Sequence, residues 1–259
     1  MPALLSLDSV SKEYNVRGKR ILALDSISLS VAAGEFVTIV GPSGCGKSTL
    51  LNLIVGLLRA SAGRIALRGQ RIDGICTKIG YVTQKDNLLP WRTLAENVEI
   101  ALEIRGLDKD ARKRQSRELI ERVGLSGFED HYPHELSGGM RQRANIIRTL
   151  IYDPELILMD EPFGPLDAQT RIVLQDQLLK LWYASKKTII FITHDLIEAI
   201  TLADRVVLMT SRPGRIKSIE NVTIPRPREV FSIHESAEFR SAYERLWQQL
   251  RPEVTLTDA

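Results

Sequence analysis

Gly41-Pro42-Ser43-Gly44-Cys45-Gly46-Lys47-Ser48-Thr49 is the stretch on which the reading of the chain turns. An apolar, β-branched run, Phe36-Val37-Thr38-Ile39-Val40, precedes it, and Leu50-Leu51-Asn52-Leu53-Ile54-Val55 follows. That order reads as strand, glycine-rich turn, helix. Gly41, Gly46, Lys47 and Ser48 occupy the fixed places of the G-x-x-x-x-G-K-S/T pattern. Glycines let the backbone fold into a nest whose N–H groups point at phosphate oxygens, and the helix N-terminus adds a favourable dipole. Lys47 would reach the terminal phosphates, and the Ser48 hydroxyl would join the shell of a Mg²⁺ ion. The pattern specifies a nucleotide-phosphate site.

Composition narrows the setting. The 259 residues are 44% hydrophobic and 26% charged, the balance of a globular chain with ample length for a core. A formal net charge of +3 is too small to imply nucleic-acid binding, and Arg112-Lys113-Arg114 with Arg117 reads as a solvated helix face. Cys45 and Cys76 form neither a disulfide framework nor a metal spacing, which suits a reducing cytoplasm. Met1-Pro2-Ala3-Leu4-Leu5 lacks the basic and apolar regions of a signal peptide, and no apolar run reaches the roughly 18 residues needed to span a bilayer. Any membrane role therefore comes through a partner.

Working outward, residues 3–13 and 20–31 alternate as antiparallel strands around a polar loop at Asn15–Lys19. Tyr14 is either a half-buried strand aromatic or a ring that stacks on a base; spacing does not decide. A turn at Ser61-Ala62-Gly63 precedes strands at 64–67 and 79–83, the latter ending in Gln84. Leu88-Leu89-Pro90-Trp91 is too apolar for an idle loop, and docks a partner or folds back onto the next helix. Thr93 and Glu96 form a capping box for a helix over 94–105, with a second over 109–123. Ser137 N-caps a helix that opens on Gly138-Gly139, either a well-capped helix or a second anion-binding helix start. Leu156-Ile157-Leu158-Met159 and Thr188–Thr193 are wholly apolar or β-branched runs of the kind found in central parallel strands. They end in Asp160-Glu161 and His194, where an open α/β sheet binds ligands. A helix over 168–184 lies between them, and closing strands at 206–209 and 215–219 flank Arg212-Pro213-Gly214. After Pro225 and Pro227, a helix over 237–250 sets Phe239, Tyr243, Leu246 and Leu250 on one face.

Together these motifs resemble the nucleotide-binding subunit of an ATP-binding cassette (ABC) transporter over roughly residues 5–225. In the family's order they are Tyr14 as base-stacking aromatic, the Walker A loop Gly41–Thr49, and Gln84. The signature Leu136–Met140, Walker B at Leu156–Asp160 with Glu161, the loop ending at Asp167, and the switch His194 follow. The resemblance implies an α/β P-loop NTPase fold: a mixed central sheet, an N-terminal antiparallel β-subdomain and a helical signature subdomain at about 86–153. The ATPase domain would cover 1–225 and a C-terminal helical extension 226–259. It implies ATP and Mg²⁺ as ligands. Tyr14, Gly41, Pro42, Ser43, Gly44, Cys45, Gly46, Lys47, Ser48, Thr49, Ser137, Gly138, Gly139 and Asp167 would bind nucleotide. Ser48, Gln84 and Asp160 would serve the metal, and Glu161, His194 and Gln84 catalysis.

It also implies two copies sandwiching two ATP molecules, each site combining one chain's Lys47 with the other's Ser137 and Gly139. Leu88–Trp91 with Thr93, Phe163–Asp167 and Ser211–Ile216 are similar to the ATPases of nitrate, sulfonate and taurine-type importers. The implied partners are permease subunits, contacted through the Gln84–Trp91 region, and indirectly an extracytoplasmic solute-binding protein. The implied place is peripheral, on the cytoplasmic face of the membrane. Rival soluble ABC ATPases of DNA maintenance or translation carry long coiled coils or two cassettes, and neither is present in this sequence.

Overall fold

Five short strands with almost wholly buried sequences line up side by side in the computed structural model, which describes residues 3–255. They are β3 (Phe36–Val40), β6 (Ile79–Val82), β7 (Leu156–Asp160), β8 (Thr188–Thr193) and β9 (Arg205–Met209). Sheet order is β10-β9-β3-β8-β7-β6, parallel throughout except for the antiparallel edge strand β10 (Ile216–Asn221). Runs such as Val-Thr-Ile-Val or Leu-Ile-Leu-Met need cover on both faces, which helices on parallel sheets supply. The pleat divides them: Phe36, Val40, Ile157, Met159, Ile189 and Phe191 enter one core, while Val37, Ile39, Leu156, Leu158, Ile190 and Ile192 enter the other.

The first core is roofed by α5 (Ala168–Ser185), α6 (Leu196–Leu202) and α7 (Ala237–Thr255). Phe239, Leu246 and Leu250 of α7 are buried there, with Tyr243 partly so and Trp247 at the surface. The second core holds α1 (Lys47–Ile54) and an antiparallel sheet of β1 (Ala3–Val16), β2 (Lys19–Ala32), β4 (Ala62–Leu67) and β5 (Gln70–Arg71). A third, smaller core joins α2 (Leu94–Ile104), α3 (Lys109–Arg122) and α4 (Gly138–Leu150). The Thr93–Glu96 capping box is formed as the sequence specifies.

Two turns differ from the sequence reading. The loop read over Asn15–Lys19 closes to two residues, because Asn15 pairs with Arg20 and Val16 with Lys19. Arg17 (φ 51°) and Gly18 (φ 78°) both take left-handed backbone, the requirement of a tight hairpin turn. Ala62 and Gly63, read as turn, already belong to β4, with Ala62 paired to Ser11.

Sequence patterning gives no hint of Arg228, which is 5% exposed. Its Nη1 donates to the carbonyls of Ile200 (3.0 Å), Thr201 (3.1 Å) and Ala203 (2.7 Å), the open C-terminal end of α6. Burial pushes its pKa down to about 10, helped by the neighbouring charge of Arg226. Arg226 in turn bonds Asp204 (2.7 Å) and lies 4.3 Å over the Trp182 ring. Removing a buried donor strands its acceptors, so Arg228→Met is expected to cost roughly 3 kcal/mol of unfolding free energy, read from urea denaturation midpoints. A loss no larger than that of an ordinary surface substitution would show that these carbonyls find water instead.

Candidate functional site

Register brings the site together. Val40 pairs with Thr193 and Leu208, Asp160 with Ile192, and Val82 with Met159, so β3, β6, β7 and β8 end along one edge. Gly41, Gln84, Glu161 and His194 each leave that edge within one or two residues.

At β3 the chain turns through Gly44 (φ 74°) and Gly46 (φ 103°) into α1. Lys47 is buried, and its Nζ donates to the carbonyls of Gly41 (2.8 Å) and Pro42 (3.0 Å). The two carbonyls satisfy its hydrogen bonds without supplying a counter-charge. Cys45 is buried beneath, and burial pushes its thiol up despite the pull of Lys47, so it stays neutral. Tyr14 sits half-buried on β1, its hydroxyl 3.4 Å from Thr49 Oγ1, which places an aromatic ring beside the phosphate loop.

Across the edge, Asp160 ends β7 half-buried. Burial raises its pKa, partly offset by hydrogen bonds from the Ser48 and Tyr81 hydroxyls. Glu161 adopts left-handed backbone (φ 43°), pinned by its N–H donating to Ile192 O at 3.0 Å. Its Oε2 lies 3.2 Å from Nδ1 of His194, which is largely exposed.

Ser137 caps α4 by accepting from Met140 N–H at 3.3 Å. With Gly138, Gly139 and Asp167 it lines a depression of about 480 Å³ apart from the phosphate loop. Asp167 caps α5, and the Thr170 N–H (2.9 Å) leads the bonds that hold its carboxyl below the usual range. Among the described residues no hydrogen bond or ion pair links Ser137–Gly139 to Gly41–Thr49. Gln84 is exposed and shares a groove with Gly138, Arg141 and Leu166. Two residues that sequence reasoning passed over tie the segment after Gln84 to α4. Arg141 Nε pairs with Asp86 (3.0 Å), and Arg148 donates to the carbonyls of Asp86 (3.0 Å) and Asn87 (2.8 Å).

Leu88–Trp91 does not behave as one patch. Leu88 is buried in the small helical core, Leu89 is half-buried, and Trp91 is 70% exposed. Asn97 explains the division. Fully buried on α2, it accepts from Leu89 N–H (2.7 Å) and donates to the carbonyls of Leu89, Arg92 and Thr93. The turn is thereby fixed with Leu88 inward and Trp91 outward.

Glu198 on α6 was also missed. It is 4% exposed behind the Glu161–His194 pair and accepts from Gln175 Nε2 at 3.1 Å. Burial pushes its pKa from 4.5 to about 7, with Thr193, Gln175 and Arg171 pulling down and Asp195 pushing up. Between those values the native state holds a proton the unfolded chain has released, so this group's contribution falls as pH rises through the window. Glu198→Gln stays neutral. Its melting temperature relative to the parent chain is therefore expected to rise between pH 5 and pH 8, by the equivalent of about 2 kcal/mol. A difference that does not change with pH would mean the carboxyl titrates normally.

Comparison with known proteins matches this architecture. Residues 24–164 match the family model described as ABC transporter. The chain is 47% identical over 254 residues to an uncharacterized ABC transporter ATP-binding protein of Methanocaldococcus jannaschii, covering 98% of this chain and 94% of that one. It is 45% identical over 224 residues to the aliphatic sulfonates import ATP-binding protein SsuB of Bacillus cereus, covering 86% and 88%. Against the taurine import ATP-binding protein TauB of Yersinia pestis, identity is 46% over 213 residues, 82% of each. A solved dimeric ATP-binding cassette in a post-hydrolysis state, bound to ADP and Pi, superposes with a TM-score of 0.76 at 32% identity, covering 85% of this chain and 100% of that one. With the same cassette fold and likeness of this degree along most of both chains, the chain belongs to the ABC transporter family as an ATP-binding subunit, an ATPase coupled to transport.

Proposed function

We propose that the chain is the ATP-hydrolysing subunit of a membrane importer for small anions of the nitrate, sulfonate or taurine type. The observation that carries the catalytic part is the convergence at one sheet edge of the Lys47 loop, Asp160 and the Glu161–His194 pair, 3.2 Å apart. Likeness to sulfonate and taurine import proteins supports the transport class.

In this reading the Gly41–Thr49 backbone and Lys47 hold the phosphates, and the Tyr14 ring stacks on the base. The Ser48 hydroxyl and Asp160 carboxylate, which lie close enough to interact, are hard oxygen donors that fit Mg²⁺, with Gln84 completing the set. Bound there, the ion would neutralise charge building on the phosphate oxygens. Glu161 orients and polarises the attacking water, and His194 keeps the γ-phosphate side of the site in place. Most of the rate comes from positioning and charge stabilisation. Ser137, Gly138, Gly139 and Asp167, set apart within one chain, complete the site of a second copy, as the dimeric solved cassette supports.

No helix among the described residues is long and apolar enough to cross a membrane. The transport path therefore belongs to permease subunits, with this chain peripheral on their cytoplasmic face and a solute-binding protein acting on the far side. Trp91, anchored from behind by Asn97, is the contact we assign to the permease, with Gln84 relaying nucleotide state.

Two experiments test the reading. Glu161→Gln preserves shape and loses charge. ATP turnover should fall about 100-fold or more with ATP affinity retained, and the variant should elute as a dimer in ATP. A variant that hydrolyses normally would remove Glu161 from the chemistry. Trp91→Ala should keep its melting temperature and basal turnover yet lose co-purification with the permease, since truncating an aromatic anchor often costs roughly 2 kcal/mol or more of binding. Leu88→Ala, by contrast, should lower the melting temperature. Normal assembly by Trp91→Ala would move the docking surface elsewhere.

A further inference from the structure

The Ser211–Arg215 turn between β9 and β10 is gripped from three sides. Gly214 N–H donates to Ala23 O, and Gly214 O accepts from Asp25 N–H, both at 2.9 Å, while Arg215 Nε pairs with Asp25 at 2.9 Å. The second grip comes from α7, where Glu253 is buried. Its Oε2 accepts from Ser211 N–H (2.8 Å) and Oγ (3.2 Å), and its Oε1 pairs with Lys217 Nζ (2.7 Å). Third, the turn lies against the phosphate loop. Arg212 Nε donates to Gly44 O at 3.2 Å. A Cβ on Gly214 would come within 2.0 Å of Cys45 O, so only glycine lets the turn approach this closely.

Inside the loop, Lys47 restrains the first two carbonyls, Gly41 and Pro42. Gly44 and Gly46 stand further on, in left-handed backbone where glycine rotates freely and ordering is costly. The Gly44–Cys45 peptide is a rigid trans plane, so drawing its oxygen outward turns its N–H inward. That N–H lies 3.4 Å from Pro42 O, within the loop.

We propose that Arg212 is a positioning residue for nucleotide binding, holding the Gly44 carbonyl so that the phosphate loop keeps its cradle form, with Glu253 of α7 fixing the turn that carries it. The end of the C-terminal helix thereby sets nucleotide affinity without touching nucleotide. The proposal rests on reading Gly41–Thr49 as the phosphate cradle, and Lys47→Ala serves as the control for that reading.

The test measures equilibrium binding of a fluorescent ATP analogue, steady-state ATPase and nucleotide-free melting for the full chain and its variants. Arg212→Ala removes an exposed side chain and should melt normally. It should raise Kd and KM roughly five-fold, the worth of about one hydrogen bond, with kcat within about two-fold. Arg212→Lys, which keeps a charged donor, should recover most of the affinity. Glu253→Ala should weaken binding in the same direction and add little in the Arg212→Ala background, because both act through one turn. An unchanged Kd for Arg212→Ala beside lost binding in Lys47→Ala overturns this proposal alone. So does a fall in kcat at constant KM, a melting loss that lysine does not rescue, or full additivity of the two substitutions. If Lys47→Ala also binds normally, the cradle reading falls with it.

Discussion

Burial of the parallel strands on both faces is the constraint on which the rest depends. Strands such as β3 and β8, with every residue buried, have no solvent face toward which they could slip or rotate. A one-residue shift would exchange the residues that face the α5–α7 core for those that face α1 and the antiparallel sheet. Register is therefore over-determined, and register decides that four strands end together. The proposed chemistry falls to the residues that come next, where the chain leaves the sheet. Glu161 illustrates the dependence: a side-chain-bearing residue in left-handed backbone is held there by a bond to Ile192 of the neighbouring strand.

The same burial sets the electrostatics. Desolvation acts on the Asp160 and Glu198 carboxyls and on the Cys45 thiol in one direction, favouring their neutral forms. Burial pushes Arg228 toward its neutral form as well, and both it and Lys47 are held by carbonyl oxygens instead of against a carboxylate. Carbonyls satisfy hydrogen bonds without cancelling charge. At Lys47 that suits the phosphate role we propose for it; at Arg228 it closes a helix end. One chemical solution serves binding in the first place and stability in the second.

What could be read from sequence alone was what depends on neighbours along the chain. Apolar runs named the parallel strands, Thr93 and Glu96 named a helix start, and the glycine pattern named the phosphate loop. What escaped depends on partners distant in sequence. Arg212 meets Gly44 across 168 residues, and Arg228 meets Ile200 across 28. Local sequence marks Arg212 only as part of a turn, and nothing local marks Arg228. Leu88 and Trp91 show the same limit within one turn. Both are large and apolar, and only Asn97, a helix turn beyond the stretch, decides which points inward.

Among the described residues, two helices open on glycine-rich backbone, at Gly46 and at Ser137, and one chain does not bring these starts together. The start at Ser137 is exposed and rich in glycine, a poor place to bury apolar surface, and in the proposed function it receives the phosphates held by a second copy. An isologous pairing repeats each contact by symmetry, so one patch meeting its complement produces two identical compound sites at once. On the proposed reading, neither site is complete in a single copy. In the proposed pairing nucleotide lies between the subunits and its phosphates contribute to the interface, so cleavage of the terminal phosphate removes contacts to both chains. The groove shared by Gln84, Gly138 and Arg141 would adjoin that proposed interface, and the Arg141–Asp86 and Arg148 bonds tie it to the segment that leads to Trp91. In the proposed pairing, a change in how the two copies meet would reach Asp86 and Asn87, a few residues before the exposed tryptophan.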